Sequence, residues 1–286
     1  GWAVDLPQKV LTNADLASMV DTSDEWITER SGISSRHVGG TVTEMSTVAG
    51  RAALAMAGVS PNEVDLLLLA TTTSDQMIPA SSSVVQDNLG LSCGAVDLNA
   101  ACSGFVYGLV TAMQFVEGGI ERVLLIGSDA LSRFTNWEDR TTCVLFGDGA
   151  GAVVIERSAE KPSLLGWDLM SDGSAADLLY CKHGDKIVMH GQEVFRKAVL
   201  AMERAAVTAI NRAGVSMDDI ALVVPHQANI RIIETALKRL GIPQEKAALV
   251  LQRTGNTSAA SIPLALVDAL DTGRVVPGDL LLLVGF

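Results

Sequence analysis

The sequence predicts an α/β fold built from two related halves. Three observations lead there. Short, dense apolar runs alternate with helical patterns, segments recur in the same order roughly 155 residues apart, and no apolar run is long enough to span a bilayer. The longest such runs, residues 66–70 and 280–286, fall far short of the ~20 residues a spanning helix needs and suit strands buried on both faces. The 286 residues are 48% hydrophobic with a mean hydropathy of +0.32, which excludes intrinsic disorder. That length fits one large domain or two coupled ones. The net charge of −12 argues against general nucleic-acid binding, because an acidic surface repels phosphate.

Along the chain, residues 41–58 are Ala-rich with helical periodicity. Residues 64–71 read as a buried strand, 81–89 as a helix, 95–99 as a strand, 103–116 as a helix and 122–127 as a strand. This alternation indicates a largely parallel sheet. Residues 141–146 and 151–156 read as two strands around a turn, Gly147-Asp148-Gly149-Ala150-Gly151. That turn opens no helix, so it is not a dinucleotide-binding loop.

The repeats define the organisation. Ala57-Gly58-Val59-Ser60 returns as Ala213-Gly214-Val215-Ser216, and Leu89-Gly90-Leu91 as Leu240-Gly241-Ile242. Val123-Leu124-Leu125-Ile126-Gly127 returns as Leu281-Leu282-Leu283-Val284-Gly285. The order is kept, so the chain reads as a duplication with a first half over residues 1–160 and a second over 161–286. The first unit runs on past its third strand, whereas the second reaches only Phe286. The expectation is that the natural protein continues beyond Phe286 and has also lost residues at its start.

Cys93, Cys102, Cys143 and Cys181 match no zinc spacing. An even count permits disulfides, but the domain size and the lack of a basic, apolar leader favour reduced thiols in the cytoplasm.

Three residues carry the chemistry. Cys102 and Asn256 take corresponding places in the two halves, each between a buried strand and a small-residue helix. At a helix N-terminus a cysteine is expected to have a lowered pKa, with backbone N–H groups poised for an oxyanion. His226 follows the apolar run 220–225, at the carboxyl end of a strand, where open α/β sheets place their sites. The three converge if the halves pack as related sheets, giving a nucleophile beside an imidazole and an amide.

Three motifs stand together: Ala101-Cys102-Ser103-Gly104-Phe105, Pro225-His226-Gln227-Ala228-Asn229 and Gly255-Asn256-Thr257-Ser258-Ala259-Ala260-Ser261. With them the sequence resembles the β-ketoacyl-[acyl-carrier-protein] synthase III family of the thiolase-like superfamily. Thr12-Asn13-Ala14-Asp15-Leu16, Thr22-Ser23-Asp24-Glu25-Trp26-Ile27 and Phe146-Gly147-Asp148-Gly149-Ala150-Gly151 extend the likeness nearly end to end. The resemblance implies a thiolase-like duplicated fold, layered α-β-α-β-α with two central mixed sheets, in a homodimer.

It further implies a decarboxylative condensation of an acyl-CoA with malonyl-ACP that starts type II fatty-acid synthesis. A related condensing enzyme of secondary metabolism with another primer is the alternative. Cys102 would take the acyl group as a thioester and release CoA. His226 and Asn256 would donate to the enolate oxygen that forms as malonyl-ACP loses CO₂. No metal or separate cofactor is expected, since the CoA thioester is a substrate. The acyl oxyanion would be held by the Cys102 N–H and by a glycine that follows Phe286 in the family.

By the same resemblance, Trp26 and Arg140 bracket the CoA adenine, Arg30 lies near its phosphates and Thr22 touches the nucleotide. Thr22 with Glu25 also fits a capping box. Gly191 and Asn229 fall on pantetheine-channel positions, and Ile78 stands where some relatives carry a Phe against the partner's acyl pocket. The acidic carrier protein would dock on Arg196, Arg231, Lys238 and Arg239. They lie in a window, residues 195–253, that holds nine basic and five acidic side chains and is locally positive in an otherwise acidic chain.

Overall fold

The computed structural model describes residues 1–158 and 163–286; the expected boundary between residues 160 and 161 lies outside the described residues. The first half begins with β1 (Trp2–Asp5), β2 (Val10–Thr12), α1 (Asn13–Ala17), α2 (Asp24–Ser31), β3 (Ser35–His37) and α3 (Val42–Ala57). It continues with β4 (Leu66–Ala70), α4 (Ser81–Asn88), β5 (Gly94–Leu98), α5 (Gly104–Glu117), β6 (Arg122–Ala130) and β7 (Asp148–Glu156). The second half holds β8 (Leu179–Tyr180), β9 (Val188–Met189), α6 (Gly191–Ala213), β10 (Ile220–Pro225), α7 (Ile230–Leu240), α8 (Leu251–Thr254), α9 (Ser261–Asp271) and β11 (Leu280–Val284).

A five-stranded mixed sheet in the order β1-β7-β6-β4-β5 forms the first half's core. Strands β4, β5 and β6 are parallel, while β7 is antiparallel to both β6 and β1. The leucine runs are explained by burial on both faces. Leu67 and Leu69 of β4 pack with Met45, Ala49 and Ala53 of α3, whereas Leu68 packs on the other face with Phe105 and Ala112 of α5. That second cluster also holds Leu222 and Val224 of β10 and Ile262 and Ala265 of α9. Val223 of β10 points the other way, toward Met202 of α6 and Ile233 of α7. The order is therefore α3/α4, first sheet, α5/α9, second sheet, α6/α7, which is the five-layered arrangement.

In the second half β10 and β11 form a parallel ladder, and β8 and β9 form a short antiparallel one. The counterpart of β5, residues 247–250, is reduced to a single bridge between Val223 and Ala247. The cause is the buried Gln227 side chain. Its Nε2 donates to Ala248 O at 3.1 Å and its Oε1 accepts from Val250 N at 3.0 Å, taking backbone groups that a longer ladder would use.

The expected hairpin of residues 141–156 is also revised. Asp139 captures Thr141 N at 2.9 Å and the Thr141 and Thr142 hydroxyls at 2.7 and 2.9 Å, so 141–146 is a turn. The glycine run lies inside β7. A Cβ at Gly151 would meet Pro263 of α9 at 2.7 Å, and one at Gly149 would meet Leu6 at 2.9 Å. Those glycines let β7 lie directly on α9.

The duplication reaches further than the motifs indicate. A Cβ on Gly1 would clash with Ala53 O and Ala57 N of α3, and one on Gly166 with Ala209 O and Ala213 N of α6. Gly1-Trp2 and Gly166-Trp167 thus sit alike on equivalent helices. A groove of about 830 Å³ separates β11 from residues 163–170 and reaches Cys102 and Ser103. All four cysteines are free thiols. No helix among the described residues is long and apolar enough to cross a membrane.

Candidate active site

Cys102 lies in a 3-10 turn, Ala101–Ser103, that leads into α5. A matching turn, Ser258–Ala260, leads into α9. The two turns are related by the duplication and pack against each other. Their first residues share a left-handed backbone, φ 45° at Ala101 and φ 50° at Ser258, which is unusual outside glycine. The true counterpart of Cys102 is therefore Ala259. Asn256 precedes the second turn, and the sequence alignment was off by three residues. The paired strain marks this junction as a place where the fold overrides local preference.

Asn256, His226 and Cys102 meet around the Ser258 turn. Asn256 is fixed through three atoms: its N–H donates to Leu145 O at 2.8 Å, its carbonyl accepts from Gly147 N at 2.9 Å, and its Oδ1 accepts from Ser258 N at 2.9 Å. With Oδ1 engaged, Nδ2 is the end of the amide left to donate. His226 continues β10, where its N–H bonds Val284 O of β11 at 2.8 Å. Its ring is fully buried and lies edge-on to Phe286, centroids 5.2 Å apart. Nδ1 is 2.6 Å from Ser261 Oγ, and Nε2 is buried with no protein partner.

Ser261 is the side chain placed to set the tautomer. Its Oγ also accepts from Gln227 N at 3.3 Å, which leaves its own proton free for Nδ1. With Ser261 donating there, the imidazole carries its hydrogen on Nε2, the nitrogen buried without a partner among the described residues. Burial holds the ring's pKa down to about 3, so it is neutral at ordinary pH.

The thiol corrects one expectation. Burial pushes Cys102 up to about 11, and the Asp129 carboxylate pushes the same way. The Ser258 hydroxyl and the cysteine's own N–H oppose this but do not prevail. A helix terminus alone does not make the resting thiol acidic, because burial outweighs it.

The residues expected to hold CoA form a second group at the α2–α7 junction. Trp26 has Arg30 at 4.5 Å and Arg140 at 5.2 Å from its ring centroid. An intercalated ring needs about 7 Å, two van der Waals contacts, so Arg140 must swing off its bond to Asp21 O to admit one. Asn229 caps α7 by accepting from Arg231 N, and its Nδ2 donates to Arg30 O at 2.9 Å. It thereby ties the end of α2 to the start of α7. The cap of α2 is Ser23, not Thr22, and the Thr22 hydroxyl is buried without a partner. Gly191 opens α6, where a Cβ would meet nothing closer than Met189 at 3.7 Å, so no close backbone approach requires glycine there.

Arg196 of α6 and Arg231, Lys238 and Arg239 of α7 are all exposed on two helices that pack together. Arg239 is tied to Glu203 at 2.6 Å. The other three have no ion pair among the described residues. Sequence reasoning missed Ser258, Ser261 and Asp129. Ser261 is 35 residues from His226, so no local pattern announces the contact. Among the described residues no group of three His, Cys, Asp or Glu side chains is placed to hold a metal ion.

Comparisons with known proteins agree with this geometry. The family described as 3-Oxoacyl-[acyl-carrier-protein (ACP)] synthase III matches residues 96–173, and its C-terminal part matches residues 210–286. Beta-ketoacyl-[acyl-carrier-protein] synthase III 1 of Bacillus anthracis is 45% identical, covering 98% of this chain and 92% of the relative. The 3-oxoacyl-[acyl-carrier-protein] synthase III structure from Aquifex aeolicus VF5 superposes with a TM-score of 0.97 at 47% identity, covering 99% and 93% of the two chains. The priming β-ketosynthase of the R1128 polyketide pathway is further off, at 34% identity and a TM-score of 0.93, covering 100% and 91%. Relatives of this identity along almost the whole length of a duplicated α/β scaffold place the chain in the β-ketoacyl-[acyl-carrier-protein] synthase III family.

Proposed function

We propose that the protein condenses an acyl-CoA primer with malonyl-ACP, releasing CO₂ and CoA and starting fatty-acid synthesis. The observation that carries this reading is a pair of oriented polar ends: the Asn256 amide, whose Oδ1 is already bonded to Ser258 N, and the buried His226 ring, whose Nδ1 meets Ser261 and whose Nε2 has no partner among the described residues. Two neutral donors suit an enolate oxygen, which needs stabilisation as charge develops and no proton beforehand. The Cys102 sulfur attacks the acyl carbonyl, the C–S bond to CoA breaks, and the thiol proton leaves with CoA. Malonyl-ACP then loses CO₂. The electron pair of the broken C–C bond becomes the enolate, whose carbon attacks the acyl-Cys102 carbonyl and expels the thiolate.

The relatives at 45–47% identity are named as synthases III, and the polyketide priming ketosynthase stands at 34%, which supports the fatty-acid reading, with an acetyl or short acyl primer, over the polyketide alternative. Trp26, Arg30, Arg140, Thr22, Gly191 and Asn229 form the proposed CoA side. The proposed carrier-protein patch is Arg196, Arg231, Lys238 and Arg239. Arg231→Glu should raise KM for malonyl-ACP severalfold and leave the acyl-CoA step unchanged. A second copy would cover the edge of β5, where Val96 is 50% exposed and Met77 and Ile78 are 83% and 86% exposed. A cytoplasmic enzyme with CoA as substrate and no resident metal completes the proposal. Mixing the protein with acetyl-CoA and malonyl-ACP should yield 3-oxoacyl-ACP and CO₂ in equal amounts; acetyl-CoA hydrolysis without condensation would exclude this function.

A further inference from the structure

Asp129 ends β6 as a fully buried carboxylate that ties the two halves together beside the site. Its Oδ1 accepts from the Thr71 hydroxyl at 3.1 Å, Thr72 N at 2.9 Å and the Thr73 hydroxyl at 2.7 Å, all just past β4 in the first half. Its Oδ2 accepts from Ala259 N at 3.0 Å, in the second half, 130 residues away. Ala259 is the centre of the turn that matches the cysteine's own. Its neighbour Ser258 has the strained φ of 50° and donates to Asn256 Oδ1. A strained residue persists only where surrounding bonds determine it, and the bond from Ala259 N to Asp129 is the one on its C-terminal side.

We propose that Asp129 is a positioning residue for the condensation step: by holding Ala259 N it fixes the Ser258 turn, and through Ser258 N it keeps the Asn256 amide with Nδ2 toward the substrate. This rests on the role of Asn256 given above. The chain of bonds touches Asn256 and bypasses His226, whose tautomer is set by Ser261. Removing the carboxylate should therefore slow the half-reaction that uses the enolate but not the one that acylates Cys102, whose thiol is freed from a neighbouring negative charge. An acceptor is required at Oδ2, since an amide nitrogen there would face the Ala259 N–H donor to donor.

The test separates the two half-reactions in Asp129→Asn. One rate is acylation of Cys102 by acetyl-CoA, and the other is single-turnover condensation of the pre-acylated enzyme with malonyl-ACP. The expected result is condensation slowed at least tenfold while acylation is as fast as wild type or faster, and in no case slowed more than threefold. Thr73→Val is the control, because it weakens the same carboxylate cluster without touching Ala259; it should lower the Tm and leave the ratio of the two rates unchanged. Asp129→Ser is read in the same way should the asparagine variant not fold. Equal loss of both rates, no loss of either, or unfolding of both Asp129 variants while Thr73→Val folds would each overturn the proposal. If wild type itself is acylated but does not condense, the proposed function fails rather than this inference.

Discussion

Ser261→Ala is the substitution whose effect the geometry defines most closely. The hydroxyl lies 2.6 Å from His226 Nδ1 and accepts from Gln227 N at 3.3 Å, in a site with no water-exposed surface on either residue. Removing it leaves Nδ1 and the Gln227 N–H buried without partners. Such a loss costs about 1–3 kcal/mol of stability, which a urea titration resolves. The tautomer carrying hydrogen on Nε2 loses the bond that selects it. A buried hydrogen bond contributes a net of about 1–1.5 kcal/mol, which corresponds to roughly 5- to 13-fold in tautomer population. Condensation of the acyl-enzyme should slow by at least that factor, and by less than the roughly 10²–10³ expected when a donor to an oxyanion is removed outright. The assay is CO₂ release from malonyl-ACP in a single turnover. A variant that is destabilised but condenses within twofold of wild type would refute the argument that Ser261 sets the working tautomer.

Three further outcomes follow from burial and packing. Because the His226 ring is held near pKa 3 while an unfolded histidine titrates near 6.5, the unfolded state alone gains a proton between those values. Its contribution to stability is complete above pH 6.5 and falls by up to about 1.4 kcal/mol per pH unit toward pH 3; denaturation at several pH values should show a steeper acid loss in wild type than in His226→Gln. With Cys102 pushed up to about 11, only about one thiol in a thousand is ionised at pH 8, so iodoacetamide alkylation should quicken about tenfold per pH unit from 8 to 10, and a plateau already at pH 8 would contradict this. Gly151→Ala places a Cβ 2.7 Å from Pro263 and should cost about 1–3 kcal/mol, whereas Gly173→Ala meets nothing within 4 Å and should leave the Tm unchanged.

The legible parts of the sequence were those in which one physical demand dominates. Leu66–Ala70 is buried on both faces, so its leucine run can only be a central strand. Helix α3 has Thr41 as its cap, accepting from Glu44 N, and Gly58 at φ 66° as its stop, so both ends are written locally. Cys102 and His226 stand out as candidates because each follows a buried strand, β5 and β10, whereas Asn256 follows α8. Elsewhere a distant side chain outweighs local preference. The β-branched stretch 141–146 is a turn because Asp139 binds its threonines, and the strand at 247–250 is broken by Gln227 from another segment. The thiol's raised pKa was hidden for the same reason: it comes from burial and from Asp129, both supplied by the fold.

The central claim is that Cys102 carries the acyl group between the two substrates. Intact-protein mass spectrometry after mixing with acetyl-CoA tests it most directly. The account predicts a mass increase of one acetyl group, mapped by peptide fragmentation to Cys102, absent in Cys102→Ser and discharged on adding malonyl-ACP. An unmodified protein that still converts both substrates to 3-oxoacyl-ACP, or an adduct on Cys93, Cys143 or Cys181 instead, would contradict it.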